Sequence, residues 1–185
     1  MKPVNGFEFI AGCIALDFVD TLGERADRGR ERLEDENALA AWLGQAELAP
    51  AGVGFSANDL AIARSVREAI YRCTTSIIDG RAPPGDDVTF LNLTASRMPL
   101  RPRLQDGVLV RVGDQPLNAA MSVLSEDALG LLAVPRRDRL RRCPECAMVF
   151  EDTSRPGKRR WCSSASGCGN RAKVRAHRAR RDTET

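Results

Sequence analysis

Four cysteines in the last quarter of the chain have the type and spacing to hold a metal ion. Cys143-Pro-Glu-Cys146 is a C-x2-C pair, in which one tight turn presents two thiolates to a single ion. Cys162 follows after a gap of 15 residues and Cys168 after 5 more. Four soft sulfur ligands suit tetrahedral Zn2+ and leave no open position for catalysis, so the implied ion is structural. A lone C-x2-C could instead be a redox pair. The second pair of cysteines, and the lack of a thioredoxin-like strand–helix pattern around the first, argue against that. His177 is a conceivable substitute for Cys168, but it lies well down a predicted helix. Cys13 and Cys73 are far apart in apolar stretches and read as small core hydrophobes.

The residues between these ligands say how they are brought together. Met148, Val149 and Phe150 are strand-like, Arg155-Pro156-Gly157 makes a turn, and Arg159 to Cys162 is expected to return as a second strand. From about Ser166 onward the chain reads as a helix. Cys168 then sits near its N-terminus, where the helix dipole and free N–H groups favour a thiolate. Knuckle, hairpin and ligand-bearing helix together make a treble-clef-like zinc finger. Its main apolar residues are only Val149, Phe150, Trp161 and Val174. The metal must therefore supply most of the folding free energy, on the order of 10 kcal/mol. A Cys162→Ser change is expected to release the ion and unfold the tail while leaving the rest of the helices.

Charge divides the chain at the same place. Residues 1–135 carry 13 Lys/Arg against 19 Asp/Glu, and residues 136–185 carry 15 against 6, although the whole chain is only +3. An acidic body joined to a basic tail points to a polyanion, most simply nucleic acid. On the last helix Arg171, Arg175 and Arg178 share one face, while Lys173 and Arg180 add charge on another side and Arg181 follows. Most such charge runs are only solvated faces, but between 136 and 181 fifteen cations meet four acids, and no network among these alone could neutralise them. Arg159, Arg160, Asn170 and the helix cations are the candidate contacts. Phosphate is the expected partner, with Arg171 or Asn170 able to reach base edges.

The body is mainly helical, with a small β-hairpin. An extended segment leads into a helix near Ile14. Leu39, Trp42, Leu43 and Ala46 mark a buried face over 37–48. The strongest helix is 57–79, with Ser56 as N-cap, Asp59 as capping carboxylate and Gly80 as stop. Further helices are expected at about 86–95 and 116–133. Between them the runs LRPRL and VLVRV flank Gln105-Asp106-Gly107, a hairpin signal. Pro135 ends the body, giving two units, 1–135 and 136–185.

RRWC at 159–162, CGNRAKVR at 168–175 and FEDTSR at 150–155 are similar to the CGNR zinc-finger family. LDFVDTL at 16–22, LAAWL at 39–43 and VREAIYR at 66–72 resemble the ABATE domain that precedes this finger, so the resemblance covers nearly the whole chain. It implies a bacterial transcription regulator described as stress-induced, with zinc and DNA binding assigned to the finger. The sequence departs from the family in carrying Asp20 where Asn is usual. Its segment SSASG at 163–167 is also one residue longer than the usual run and lacks its Met.

Other classes are weaker. No phosphate-binding loop, dinucleotide fingerprint or nucleophile elbow is present, and the single histidine lies in the tail, so an enzyme is not expected. Asp17, Asp20 and Arg25 could line a pocket for a small effector, although buried polar anchors would leave the same signal. The N-terminus lacks the pattern of a signal peptide and no run approaches the ~20 apolar residues of a membrane span, so the expected location is the cytoplasm. DNA is the expected partner ahead of RNA or the ribosome. A third alternative is a protein-interaction or small-ligand-binding module with a zinc-stapled tail. One finger has a small footprint, which favours a homodimer.

Overall fold

The computed structural model describes residues 6–50, 52–99, 101–112, 115–163 and 167–183. Among the described residues six α-helices carry the chain: α1 (Ile14–Val19), α2 (Glu36–Gln45), α3 (Ala57–Ile78), α4 (Gly85–Ala95), α5 (Pro116–Leu132) and α6 (Cys168–Thr183). Three two-stranded antiparallel sheets lie between them. They pair β1 (Leu22–Gly23) with β2 (Arg30–Glu31), β3 (Arg101–Gln105) with β4 (Val108–Val112), and β5 (Leu140–Arg142) with β6 (Val149–Glu151). The architecture is mainly helical with small strand pairs, as the sequence implies.

The long helix α3 is the scaffold. A capping box opens it: Ser56 Oγ accepts from Asp59 N–H at 3.2 Å, and Asp59 Oδ2 accepts from Ser56 N–H at 2.8 Å. It closes at Gly80, whose φ of +71° lets Arg81 N–H reach back to the Ser76 carbonyl at 2.8 Å. Between these ends Leu60, Ala63, Val66, Ile70 and Cys73 form the buried stripe, and α1, α2, α4 and α5 pack around it. Phe18 and Trp42, both fully buried, meet with ring centroids 4.8 Å apart at the centre. The predicted hairpin forms with its turn at Asp106-Gly107; Leu100, expected at its start, lies outside the described residues.

Charged residues hold the α1–α3 side in a way the sequence did not reveal. Arg67 is 3% exposed and makes a bidentate pair with Glu31 at 2.6 and 2.7 Å, while its Nε donates to Glu68 at 2.8 Å. Burial pushes Glu31 and Glu68 up, but the guanidinium hydrogen bonds and charges outweigh it, and both carboxyls stay below their usual range.

The basic tail does not hang free of this body. Leu140, Met148, Val149 and Phe150 belong to the same buried cluster as α1, α3 and α5. Glu151 N–H donates to the Ala11 carbonyl at 2.7 Å. Gly12 lies under that contact: a Cβ there would sit 2.6 Å from the Glu151 carbonyl oxygen, and its φ is +96°. Arg136 bridges Asp127 of α5 and Glu151 of β6, each at 2.8 Å, and Arg142 reaches Asp79 at the end of α3 at 3.0 Å. Asp127 also accepts from Ala15 N–H at 2.9 Å, joining α1, α5 and the tail.

Candidate metal centre and nucleic-acid interface

The knuckle sits between β5 and β6. Cys143 N–H donates to the Met148 carbonyl at 2.8 Å and Ala147 N–H to the Cys143 carbonyl at 2.9 Å. Ala147 takes a φ of +60°, which turns the chain tightly enough for Cys143 and Cys146 to face one point. The strand expected over 159–162 does not form. The partner of β6 is β5, paired Leu140 to Glu151 and Arg142 to Val149, and the N–H of Glu151 on the other edge is taken by Ala11. The 159–162 segment instead returns as irregular chain, pinned by the buried Asp152. That carboxylate accepts from Ser154 N–H at 3.0 Å, Ser154 Oγ at 2.6 Å and Arg159 N–H at 2.9 Å. Cys162 is thus carried to the knuckle. Cys168 enters as the first residue of α6; Ser166, where the sequence reading began the helix, lies outside the described residues.

The four sulfurs lie within 4.8 Å of one another, and Cys146 Sγ is 3.6 Å from Cys162 Sγ. A zinc–sulfur bond of about 2.3 Å in a tetrahedron places its sulfurs ~3.8 Å apart, so the cluster fits the ion with small adjustments. Cys143, Cys162 and Cys168 are buried and Cys146 is half-buried. Hydrogen bonding from the Cys162 thiol, against the opposing effect of burial, holds Cys146 down to about 5. Cys162 is pushed up by the hydrogen bond to that sulfur, and Cys168, by burial first, to about 11. Sulfurs this close cannot all ionise against their own repulsion, and a dication at their centre is what allows it. The donor set is four sulfurs, three of them buried, as a structural zinc requires. His177 is exposed further along α6 and takes no part in the cluster. Arg171 donates to Cys168 Sγ at 3.0 Å, offsetting part of the charge that four thiolates leave on the centre.

The expected nucleic-acid contacts fall into two groups. Arg159 is half-buried and serves the finger itself: its Nε donates to the Trp161 carbonyl at 2.9 Å, its Nη2 to Ile10 at 3.3 Å, and its guanidinium lies 4.8 Å over Phe150. Arg175 pairs with Glu145 of the knuckle, an acid the sequence reading passed over although it lies between two ligands. By contrast Arg160, Asn170, Lys173, Arg178 and Arg180 are exposed, as is most of the described surface of α6. The Arg181 side chain lies outside the described ones.

Of Asp17, Asp20 and Arg25, the last two border one small crevice, and Asp17 is not among its lining residues. Asp17 is buried and accepts from Ala11 N–H at 2.8 Å; burial pushes its carboxyl up to about 6 against that bond. Arg25 is committed to Glu68 at 2.8 and 2.9 Å and lies 4.0 Å over Tyr71. Asp20, pushed up to about 7 by burial despite Arg32 beside it, borders with Arg25 a crevice against Cys146–Val149. Its volume of about 10 Å³ has room for one water at most. Asp20 and Arg25 thus lie where the knuckle meets the body.

A helical body with a four-cysteine, strand-pair-plus-helix module at its end defines a zinc-finger protein. The chain belongs to the ABATE family, described as "Putative stress-induced transcription regulator", which matches residues 12–135; residues 139–181 match the CGNR zinc finger. Neither is an enzyme family. No curated protein matches the chain. Among the described residues no helix is long and apolar enough to cross a membrane.

Proposed function

We propose that this chain is a zinc-dependent, DNA-binding transcription regulator of the cytoplasm. Residues 136–185 make the DNA contact, and residues 1–135 act as a sensing or dimerising body. The observation that carries this reading is α6 itself: sixteen residues standing out from the zinc site, with Lys173, Arg178 and Arg180 exposed along it. A helix of that length spans ~24 Å, and a helix of ordinary width fits the major groove of B-DNA. The deep, narrow major groove of duplex RNA does not admit one, which supports DNA over RNA. Arg160 lies exposed beside Cys162 and adds a cation at the base of the helix. Arg171 and Arg175, tied to Cys168 and Glu145, orient α6 on the metal centre, while Arg159 braces the finger from within. Zinc removal is then expected to abolish binding by loosening the base of α6 rather than by altering any contact.

The test is binding of the zinc-loaded protein to labelled duplex DNA across a salt series, with structured RNA as competitor. Saturable duplex binding is expected, and a Lys173→Gln/Arg178→Gln variant should weaken it about tenfold and flatten the log–log salt slope by about 2. Binding to RNA in preference, or none at moderate salt, refutes the reading. Light scattering at micromolar concentration tests the dimer.

A further inference from the structure

Between α4 and α5 the chain leaves the body as the β3–β4 ribbon, and every residue of β3 is exposed. Pairing of Arg101 with Val112, Arg103 with Val110 and Gln105 with Val108 puts these side chains on one face. Pro102, Leu104 and Leu109 fall on the other, where Leu104 is 72% and Leu109 71% exposed. A two-stranded ribbon with neither face buried is marginal alone in water, and exposed leucines at its tip mark a surface that meets something.

Charge indicates what that is. Residues 97–112 carry Arg97, Arg101, Arg103 and Arg111 against the single acid Asp106, whereas the rest of residues 1–135 holds nine cations against eighteen acids. The ribbon is a basic island on an acidic body. Arg97 is bonded to Asn118 and Arg101 to Met98 Sδ, and neither they nor Arg103 has a carboxylate partner among the described residues. These three arginines line an open groove of about 940 Å³ between the ribbon and the first turn of α5. Two copies meeting on their arginine-bearing faces would bring like-charged rows together. A phosphate backbone complements them.

We propose that the β3–β4 ribbon is a second nucleic-acid contact, with Arg101 and Arg103 taking phosphates beside a duplex groove and Leu104 and Leu109 resting against sugars and base edges. Two-stranded ribbons fit duplex grooves, and apolar residues at such tips act as wedges between base steps. This rests on the DNA reading of the finger and enlarges it, because a single finger covers too few base pairs for useful selectivity.

An Arg101→Gln/Arg103→Gln variant of the full, zinc-loaded chain tests it, measured by anisotropy on duplex DNA across a salt series beside the Lys173→Gln/Arg178→Gln variant. Both replaced arginines are exposed, so the Trp42 fluorescence and thermal midpoint should stay at wild-type values and report an intact fold. Loss of two phosphate contacts should flatten the log–log salt slope by about 1.8 and weaken binding roughly tenfold. If the ribbon variant keeps wild-type slope and affinity while the α6 variant loses both, the ribbon inference falls and the finger reading stands. If the wild type shows no saturable duplex binding, both fall. If Leu104→Ser/Leu109→Ser turns a dimer into a monomer while the ribbon-arginine variant binds DNA normally, the ribbon is a subunit interface and the inference is overturned.

Discussion

Stripping the zinc should destabilise the helical body, not the finger alone. The sequence by itself suggests a detachable tail, in which Cys162→Ser would leave the helices as they were. The structure places Leu140, Met148, Val149 and Phe150, on or next to the strands flanking the knuckle, inside the core shared with α1, α3 and α5. Burying a side chain of this size contributes ~1.5–3 kcal/mol, so the four together amount to about 6–12 kcal/mol as an upper estimate. That approaches the whole stability of an ordinary domain, ~5–15 kcal/mol. The Glu151–Ala11 hydrogen bond and the Arg136 and Arg142 bridges would be lost with them.

The two tryptophans make the idea measurable, because Trp42 lies in the body's core and Trp161 beside a metal ligand. In a Trp161→Phe background, Trp42 fluorescence reports the body alone. Losing even half of the estimated burial should lower the Trp42-reported midpoint by at least ~6 °C on chelation or in Cys162→Ser, at ~2–4 °C per kcal/mol for a chain of this size. The transition should coincide with loss of helical circular dichroism. A Trp42 midpoint indifferent to chelation would show that the finger unfolds by itself and that the shared core contributes little.

Asp17 should make stability pH-dependent. Burial holds its folded pKa at about 6, above the ordinary carboxyl value of 3.8. The folded state therefore holds the proton more tightly, and this contribution to stability is full below pH ~4 and lost as pH rises through 6. Asp17→Asn keeps the acceptor for Ala11 N–H, so it should stabilise the protein by up to about 3 kcal/mol at pH 8 and by little at pH 4; a wild-type-minus-variant difference that is flat with pH would contradict this. Arg67→Met leaves Glu31 and Glu68 facing each other without their shared cation and should cost near the lower end of ~3–5 kcal/mol, since both acids keep some exposure. Urea unfolding of Arg67→Met against Arg67→Met/Glu31→Gln measures it, and equal stabilities for the two would show no coupling. Gly12→Ala should cost more than ~1 kcal/mol through the Glu151 carbonyl and its positive φ; a wild-type urea midpoint would place that contact elsewhere.

Local signals carried the parts of the fold that are local. The capping pair Ser56 and Asp59, the periodic stripe from Leu60 to Cys73 and the stop at Gly80 mark α3 to within a residue. The Asp106-Gly107 turn announces β3–β4 in the same way, because each feature is decided by neighbours in sequence. The cysteine spacing was legible since a metal imposes its own geometry on whatever chain holds it. What stayed hidden is decided by partners far away. Nothing in Arg159–Cys162 says that Ala11 will occupy the edge of β6, so a strand was expected where the chain runs irregularly. Arg67 looks like any surface cation of an amphipathic helix until β2 brings Glu31 to it.

The charge division shows the same limit with more consequence. Dividing the chain at residue 135 sets Arg136 on one side and its partner Asp127 on the other, and likewise Arg142 and Asp79. Fifteen cations in the tail therefore overstate the charge available to a ligand. Arg136 and Arg142 fasten the finger to the body, Arg159 and Arg175 brace it, and Arg171 answers a thiolate. Among the described residues Arg155, Lys158, Arg160, Lys173 and Arg178 remain exposed, and of these Lys173 and Arg178 lie along one projecting helix. Affinity for a polyanion depends on how many phosphates are neutralised, not on how many cations are present. With several tail cations committed inside the protein, a second basic surface would add phosphate contacts, and the arginines of β3, which have no carboxylate partner among the described residues, are the proposed one.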